Sequence, residues 1–159
     1  MKLLTGLFLT FLVAATVSSD SSNTLMIGNS GEPATLDPHK YNLRLEETLL
    51  NDLFLGLTTF NADGEIVAGA AETWETSADG LTWRFFLRED LKWSDGKNLT
   101  AEDFVYSFRR LLNPQTAASL SYFLYMIKNA EQVSNAQKAA SSLGVYSDGP
   151  HILVIELDR

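Results

Sequence analysis

The sequence predicts a domain of the α/β class with mixed α+β character, and three observations carry that prediction. First, Leu81, Trp83, Phe85 and Leu87 alternate with Thr82, Arg84, Phe86 and Arg88, the period-two pattern of a strand with one buried face. Second, residues 100–112 set Phe104, Phe108 and Leu111 along one helical stripe behind a Thr100 cap. Third, Asp63-Gly64, Asp79-Gly80, Asp95-Gly96 and Asp148-Gly149 punctuate the chain. Asp-Gly suits tight turns, because glycine accepts positive φ and aspartate tolerates it. Hairpin strands with helices set apart from them give this mixed class.

Taken in order, the chain begins with a positive Lys2, an apolar run over residues 3–13 and a small-residue stretch ending at Ser19. This is the three-part layout of a secretory signal peptide over residues 1–19, with the mature chain starting near Asp20. The run falls short of the roughly 20 residues a membrane span needs. After a polar spacer, Leu25, Met26 and Ile27 predict a buried strand closed by Gly28-Asn29-Ser30-Gly31. Pro33 and Pro38 keep the next stretch extended. Residues 46–55 place Leu49, Leu50, Leu53 and Phe54 at helical spacing. Glu46 and Glu47 lie in the first turn, where acidic groups suit the positive end of the helix dipole.

The Asp63-Gly64 turn joins residues 57–60 to 65–67 as a hairpin. In the helix over 100–112, Asp103 stands three residues after Thr100, a capping box with a shortened acid, and Asn113-Pro114 ends the helix. Residues 117–130 read as a second, aromatic and amphipathic helix, and 136–143 as a loose helix or loop. Residues 151–157 read as a β-branched strand.

Composition narrows the function classes. A hydrophobic fraction of 45% with 11% aromatics is that of a folded domain, not a disordered one. A net charge of −8 argues against nucleic acid as a partner, which needs a basic face. The absence of cysteine removes disulfides, thiolate metal ligands, a cysteine nucleophile and the cysteine of a lipid-anchored export signal. The expectation is therefore an exported, soluble protein of the periplasmic kind.

No catalytic constellation emerges, so the chain is read as a non-enzyme with no cofactor. His39 and His151 lack metal-ligand spacing and read as ordinary surface or satisfied histidines. Gly28-Asn29-Ser30-Gly31-Glu32 fails as a nucleophile elbow, because glutamate stands where the second glycine is required. Glu46/Glu47, Glu89/Asp90 and Glu102/Asp103 are sequence neighbours that share no face, and each pair reads as solvated surface. Asp95-Gly96 lacks the alternating oxygen ligands of a calcium loop. Asn98-Leu99-Thr100 matches a glycosylation acceptor, but Thr100 is better used as a cap. Trp74, Trp83 and Trp93 read as packing residues, Trp83 most clearly.

Several blocks in fixed order resemble one family. They are Thr35-Leu36-Asp37-Pro38-His39, Asp52-Leu53-Phe54-Leu55-Gly56-Leu57 and Ala70-Ala71-Glu72-Thr73-Trp74, followed by Asp79-Gly80-Leu81-Thr82-Trp83-Arg84-Phe85. Then come Leu87-Arg88, Lys92-Trp93-Ser94-Asp95-Gly96 and Leu99-Thr100-Ala101-Glu102-Asp103-Phe104-Val105-Tyr106-Ser107. The pattern resembles solute-binding protein family 5, the extracytoplasmic receptors of ABC-type uptake systems.

The resemblance implies the N-terminal portion of a periplasmic-binding-protein type II-like clamp, in which two lobes close around a ligand, most often a short peptide. The loaded receptor then docks on the membrane permease subunits. It implies a first segment of the large lobe over 20–45 and a small N-terminal domain over 46–159. Family members are several times longer, so the second lobe is expected to be absent and the receptor truncated. It places peptide contacts at Tyr41, Asn42, Leu43 and Arg44, with Asn42 and Arg44 foremost, and at Tyr122. Main-chain pairing with the ligand explains broad tolerance of peptide sequence, and water in roomy pockets accommodates varied side chains. A monomer is expected. A nickel chelate, an oligosaccharide or a murein peptide are alternative ligands for the same scaffold, and an exported hydrolase is the competing class.

Overall fold

The computed structural model describes residues 28–158, so the leader over 1–19 and the strand expected at residues 25–27 lie outside the described residues. The first helix, α1, spans Arg44–Leu53, two residues earlier than its sequence pattern indicates, with Glu46 and Glu47 in its first turn. It ends where the Phe54 N–H still reaches the Leu50 carbonyl at 2.9 Å. Next, β1 (Thr58–Phe60) and β2 (Ile66–Ala68) form the expected antiparallel hairpin. At its tip the Asn61 side chain accepts the N–H groups of Asp63 and Glu65, and Gly64 takes φ +79°. The glycines of the other three Asp-Gly turns also take positive φ.

The main sheet contains β3 (Ala71–Thr76), β4 (Thr82–Leu87), β5 (Val145–Ser147) and β6 (Ile152–Glu156). Its order is β3-β4-β6-β5 and every neighbouring pair is antiparallel. The central pairing joins distant parts of the chain, setting Trp83 opposite Ile155 and Phe85 opposite Leu153. Helix α2 (Ala101–Leu111) lies across β5 and β6. The core between helix and sheet contains Leu87, Val105, Leu112, Val145, Leu153 and Ile155, with Trp83, Phe85, Phe104 and Phe108 packed at its margin. Trp83 is thus a packing residue, as expected, stacked on Phe85 at 6.3 Å. Trp93 is not: it stays 41% exposed beside the Asp95-Gly96 turn.

The α2 cap works through its acid. The Asp103 carboxylate accepts both the Thr100 N–H at 2.8 Å and the Thr100 hydroxyl at 3.0 Å. The threonine hydroxyl is therefore a donor here, and the Asp103 N–H goes to the Thr100 carbonyl.

The single amphipathic helix expected over 117–130 does not form. In its place are 3-10 turns at Pro114–Thr116 and Ser121–Leu124, then the short helix α3 (Ala130–Ser134). Ala117 and Asn129 take left-handed φ values of +53° and +64°, Ala117 ending the first 3-10 turn and Asn129 preceding α3, so neither short element extends into the stretch between them. Tyr122, Phe123 and Met126 consequently face outward instead of lining a buried stripe. Among the described residues no helix is long and apolar enough to cross a membrane.

Candidate functional site

Residues 34–46 form a loop closed on itself by one side chain. Glu46 lies in the first turn of α1 and is only 1% exposed. One carboxylate oxygen accepts the N–H groups of Ala34 at 3.0 Å and Thr35 at 3.2 Å. The other accepts those of Asn42 at 3.1 Å and Leu43 at 3.2 Å. Burying a charged group is costly unless hydrogen bonds replace its hydration; four donors do so here. The Asn42 N–H, with those of Leu43, Ala34 and Thr35, holds the Glu46 carboxyl below the ordinary glutamate value, against the opposing effect of burial. Glu46 thus departs from the solvated surface expected of the adjacent carboxylates, while Glu47, Glu89, Asp90 and Glu102 remain exposed.

The same loop is clasped to α2. Arg110 donates to both oxygens of Asp37, at 2.8 and 2.6 Å, a two-pronged ion pair. His39 lies beside it, with Nδ1 2.6 Å from the Arg110 guanidinium and Nε2 3.0 Å from the Ser107 hydroxyl. Ser107 and Arg110 are three residues apart, so α2 presents both on one face. The guanidinium donates to Nδ1, which requires a neutral ring whose proton sits on Nε2 and points at Ser107. Burial and the neighbouring Arg110 both hold the His39 pKa below its ordinary value. The hydrogen bond from Arg110 holds the Asp37 carboxyl well below the usual carboxylate range, and Asp37 in turn raises Arg110. Among the sequence readings of the histidines, His39 is the satisfied kind. Nδ1 of His151 is buried and has no partner among the described residues.

Four of the five expected contact residues follow directly on this frame. Tyr41 is half-buried, while Asn42, Leu43 and Arg44 are exposed in one strip leading into α1. Tyr122 is 54% exposed in its 3-10 turn, its ring 4.4 Å from that of Phe123. No hydrogen bond, ion pair or ring contact of the described residues joins Tyr122 to the strip. Sequence reasoning did not single out Glu46, Asp37 or Arg110 as the groups that fix the loop. Asp37 lies in the Thr35-Leu36-Asp37-Pro38-His39 block, but its partner is 73 residues away and no local pattern connects them. A depression of about 410 Å³ lies between the end of α2 and α3, lined by Asn113, Pro114, Val133 and Lys138 among others. None of residues 41–44 borders it. Among the described residues no cluster of three or more histidine or carboxylate side chains is placed to hold a metal ion.

Residues 65–159 match the family described as "Bacterial extracellular solute-binding proteins, family 5 Middle". The chain belongs to this family. The family 5 chain is 39% identical over 138 residues to the periplasmic oligopeptide-binding protein OppA of Haemophilus influenzae, covering 86% of this chain and 26% of that protein. It superposes on the Escherichia coli murein tripeptide binding protein MppA with a TM-score of 0.78 at 41% identity, over 84% of this chain and 26% of that one. It also matches Listeria monocytogenes OppA bound to peptide, with a TM-score of 0.80 at 32% identity over 82% of this chain and 26% of that one. The family 5 chain therefore spans about a quarter of the length of the relatives it matches. Its mixed helix-and-sheet fold is that of the N-terminal part of these type II periplasmic binding proteins, and its family is one of solute binders.

Proposed function

We propose that the chain is the N-terminal part of an exported receptor that binds short peptides and hands them to the permease subunits of an ABC-type uptake transporter. The observation that carries this reading is the strip over 41–44. Its residues Asn42, Leu43 and Arg44 are exposed, it leads into a helix, Glu46 fixes its backbone from behind, and the Asp37–Arg110 pair clasps the loop that precedes it. A preformed strip lowers the ordering cost of binding an extended ligand. Relatives whose names specify oligopeptide and murein peptide ligands support peptide as the ligand class.

In this reading residues 20–45 open the large lobe, 46–159 form the small N-terminal domain, and residues 1–19 direct export to the periplasm. Tyr41, Asn42, Leu43, Arg44 and Tyr122 contact the peptide. The receptor acts as a monomer and performs no chemistry on its ligand. Calorimetric titration of the full gene product with a mixed set of tripeptides to pentapeptides tests the reading. Saturable binding heat is expected. No heat with peptides, together with binding of a nickel chelate or an oligosaccharide, would overturn it.

A further inference from the structure

We propose that Glu46 is a positioning residue for the ligand strip and that it decides which groups of the strip can meet a peptide; this rests on reading residues 41–44 as peptide-facing. The carboxylate binds both ends of the chain reversal, Ala34 and Thr35 on one side and Asn42 and Leu43 on the other. It thereby sets the direction in which the strip enters α1. It also consumes donors. The N–H groups of Asn42 and Leu43 point inward at Glu46, and the Leu43 carbonyl accepts the N–H groups of Glu46 and Glu47 at 3.0 and 3.1 Å.

Both backbone groups of Leu43 are thus committed inside the protein, so Leu43 meets a ligand through its exposed side chain alone. Among the described residues, Tyr41 keeps both its backbone groups, Asn42 its carbonyl and its exposed side-chain amide, and Arg44 its N–H and its exposed guanidinium. The strip therefore pairs with a peptide through Tyr41, Asn42 and Arg44, on either side of a Leu43 whose main chain is already engaged. Strand-like pairing through Leu43 is precluded. Buried donors facing a carboxylate cannot be redirected to a ligand without leaving that charge unpaired.

Glu46→Gln keeps the shape of the side chain but turns one acceptor oxygen into a donor facing donors. In the full gene product, protection of the Ala34, Thr35, Asn42 and Leu43 amides from hydrogen exchange is expected to fall about tenfold, with affinity for a tri-alanine peptide falling by a similar factor. The Leu153 and Ile155 amides in the sheet keep their protection. In the unsubstituted chain the four loop amides are expected to titrate together in NMR spectra, with one midpoint below the ordinary glutamate value. Separate midpoints, or unchanged loop protection in the variant, would overturn the proposed geometry. Faster loop exchange with unchanged tri-alanine affinity would overturn the coupling to ligand. If the variant loses sheet protection, the co-titration decides. Failure of the unsubstituted chain to bind any tripeptide to pentapeptide overturns the peptide reading itself and is read without the variant.

Discussion

Residues 34–46 and the main sheet both contact α2 but are held by different forces. The sheet region buries Leu87, Val105, Leu112, Val145, Leu153 and Ile155 against one another, and its stability grows with the apolar area removed from water. The loop region sets Ala34, Thr35, Asn42 and Leu43 around one carboxylate and Asp37 against one guanidinium. Leu50 is the buried apolar residue of the helix it leads into. Apolar packing is tolerant of direction; hydrogen bonds to a charge fix atoms in place. Under the proposed function the contrast suits a scaffold that carries a contact strip: the sheet supplies stability and the clasp supplies position.

The comparison can be broken most strongly in the sheet. Leu153→Ala removes a fully buried side chain opposite Phe85 and is expected to destabilise the chain by about 3 kcal/mol. Urea unfolding followed by tryptophan fluorescence reads this, because Trp83 packs on the same core. Loss of protection should extend to every strand. A change confined to the loop would contradict the division drawn here.

Gly144→Ala acts on backbone approach instead of cavity volume. A β-carbon there would lie 2.6 Å from Lys128 Cβ and 2.9 Å from the Glu156 carbonyl oxygen, and the expected cost is about 2 kcal/mol. The same unfolding experiment measures it, and an unchanged midpoint would mean that the 128–144 contact yields more easily than its distances indicate.

Arg110→Ala sharpens the comparison from the other side. It leaves Asp37 and His39 without their shared partner, and amide protection over 34–43 should fall about tenfold while the sheet amides of Leu153 and Ile155 hold. Hydrogen exchange read residue by residue distinguishes this local loosening from global unfolding.

The response to pH is smaller and has a defined sign. His39 faces Arg110, Asp37 and Ser107, and its pKa is lowered in the folded chain, so the unfolded chain binds the proton more readily. Its contribution is fully present above the ordinary histidine value of 6.5 and is lost as pH falls through the lower folded value. Asp37 behaves likewise at far lower pH, keeping its contribution above the ordinary aspartate value. NMR titration of the His39 ring should therefore track loosening of the 34–43 amides below pH 6.5. At the small end, Asp148→Ala removes an exposed partner of Arg84 and is expected to leave the unfolding midpoint unchanged.

What could be read in advance follows from the range of each signal. The β1–β2 hairpin, β4, β6, α1 and α2 each announce themselves over a few neighbouring residues, through alternation, helical spacing, caps or an Asp-Gly turn. β3 carries Glu72 and Glu75 on its exposed positions and offers no clean alternation, and β5 is three residues long. These two strands exist because β4 and β6 provide edges for them to pair with. The 117–130 stretch shows the opposite failure. Its spacing suits a helix, yet its interior forms only the 3-10 turn at Ser121–Leu124, and left-handed backbone at Ala117 and Asn129 closes it at either end.

For the candidate site, the sequence by itself determined the family pattern, because that rests on short blocks of neighbouring residues, and it raised the expectation of a contact strip at Tyr41, Asn42, Leu43 and Arg44. The tertiary structure alone decided that Glu46 is buried and that Asp37 and His39 belong to Arg110 and Ser107. The physical reason is distance along the chain. A carboxylate looks the same in sequence whether it faces water or four backbone donors, and only the path of the folded chain brings those donors to it.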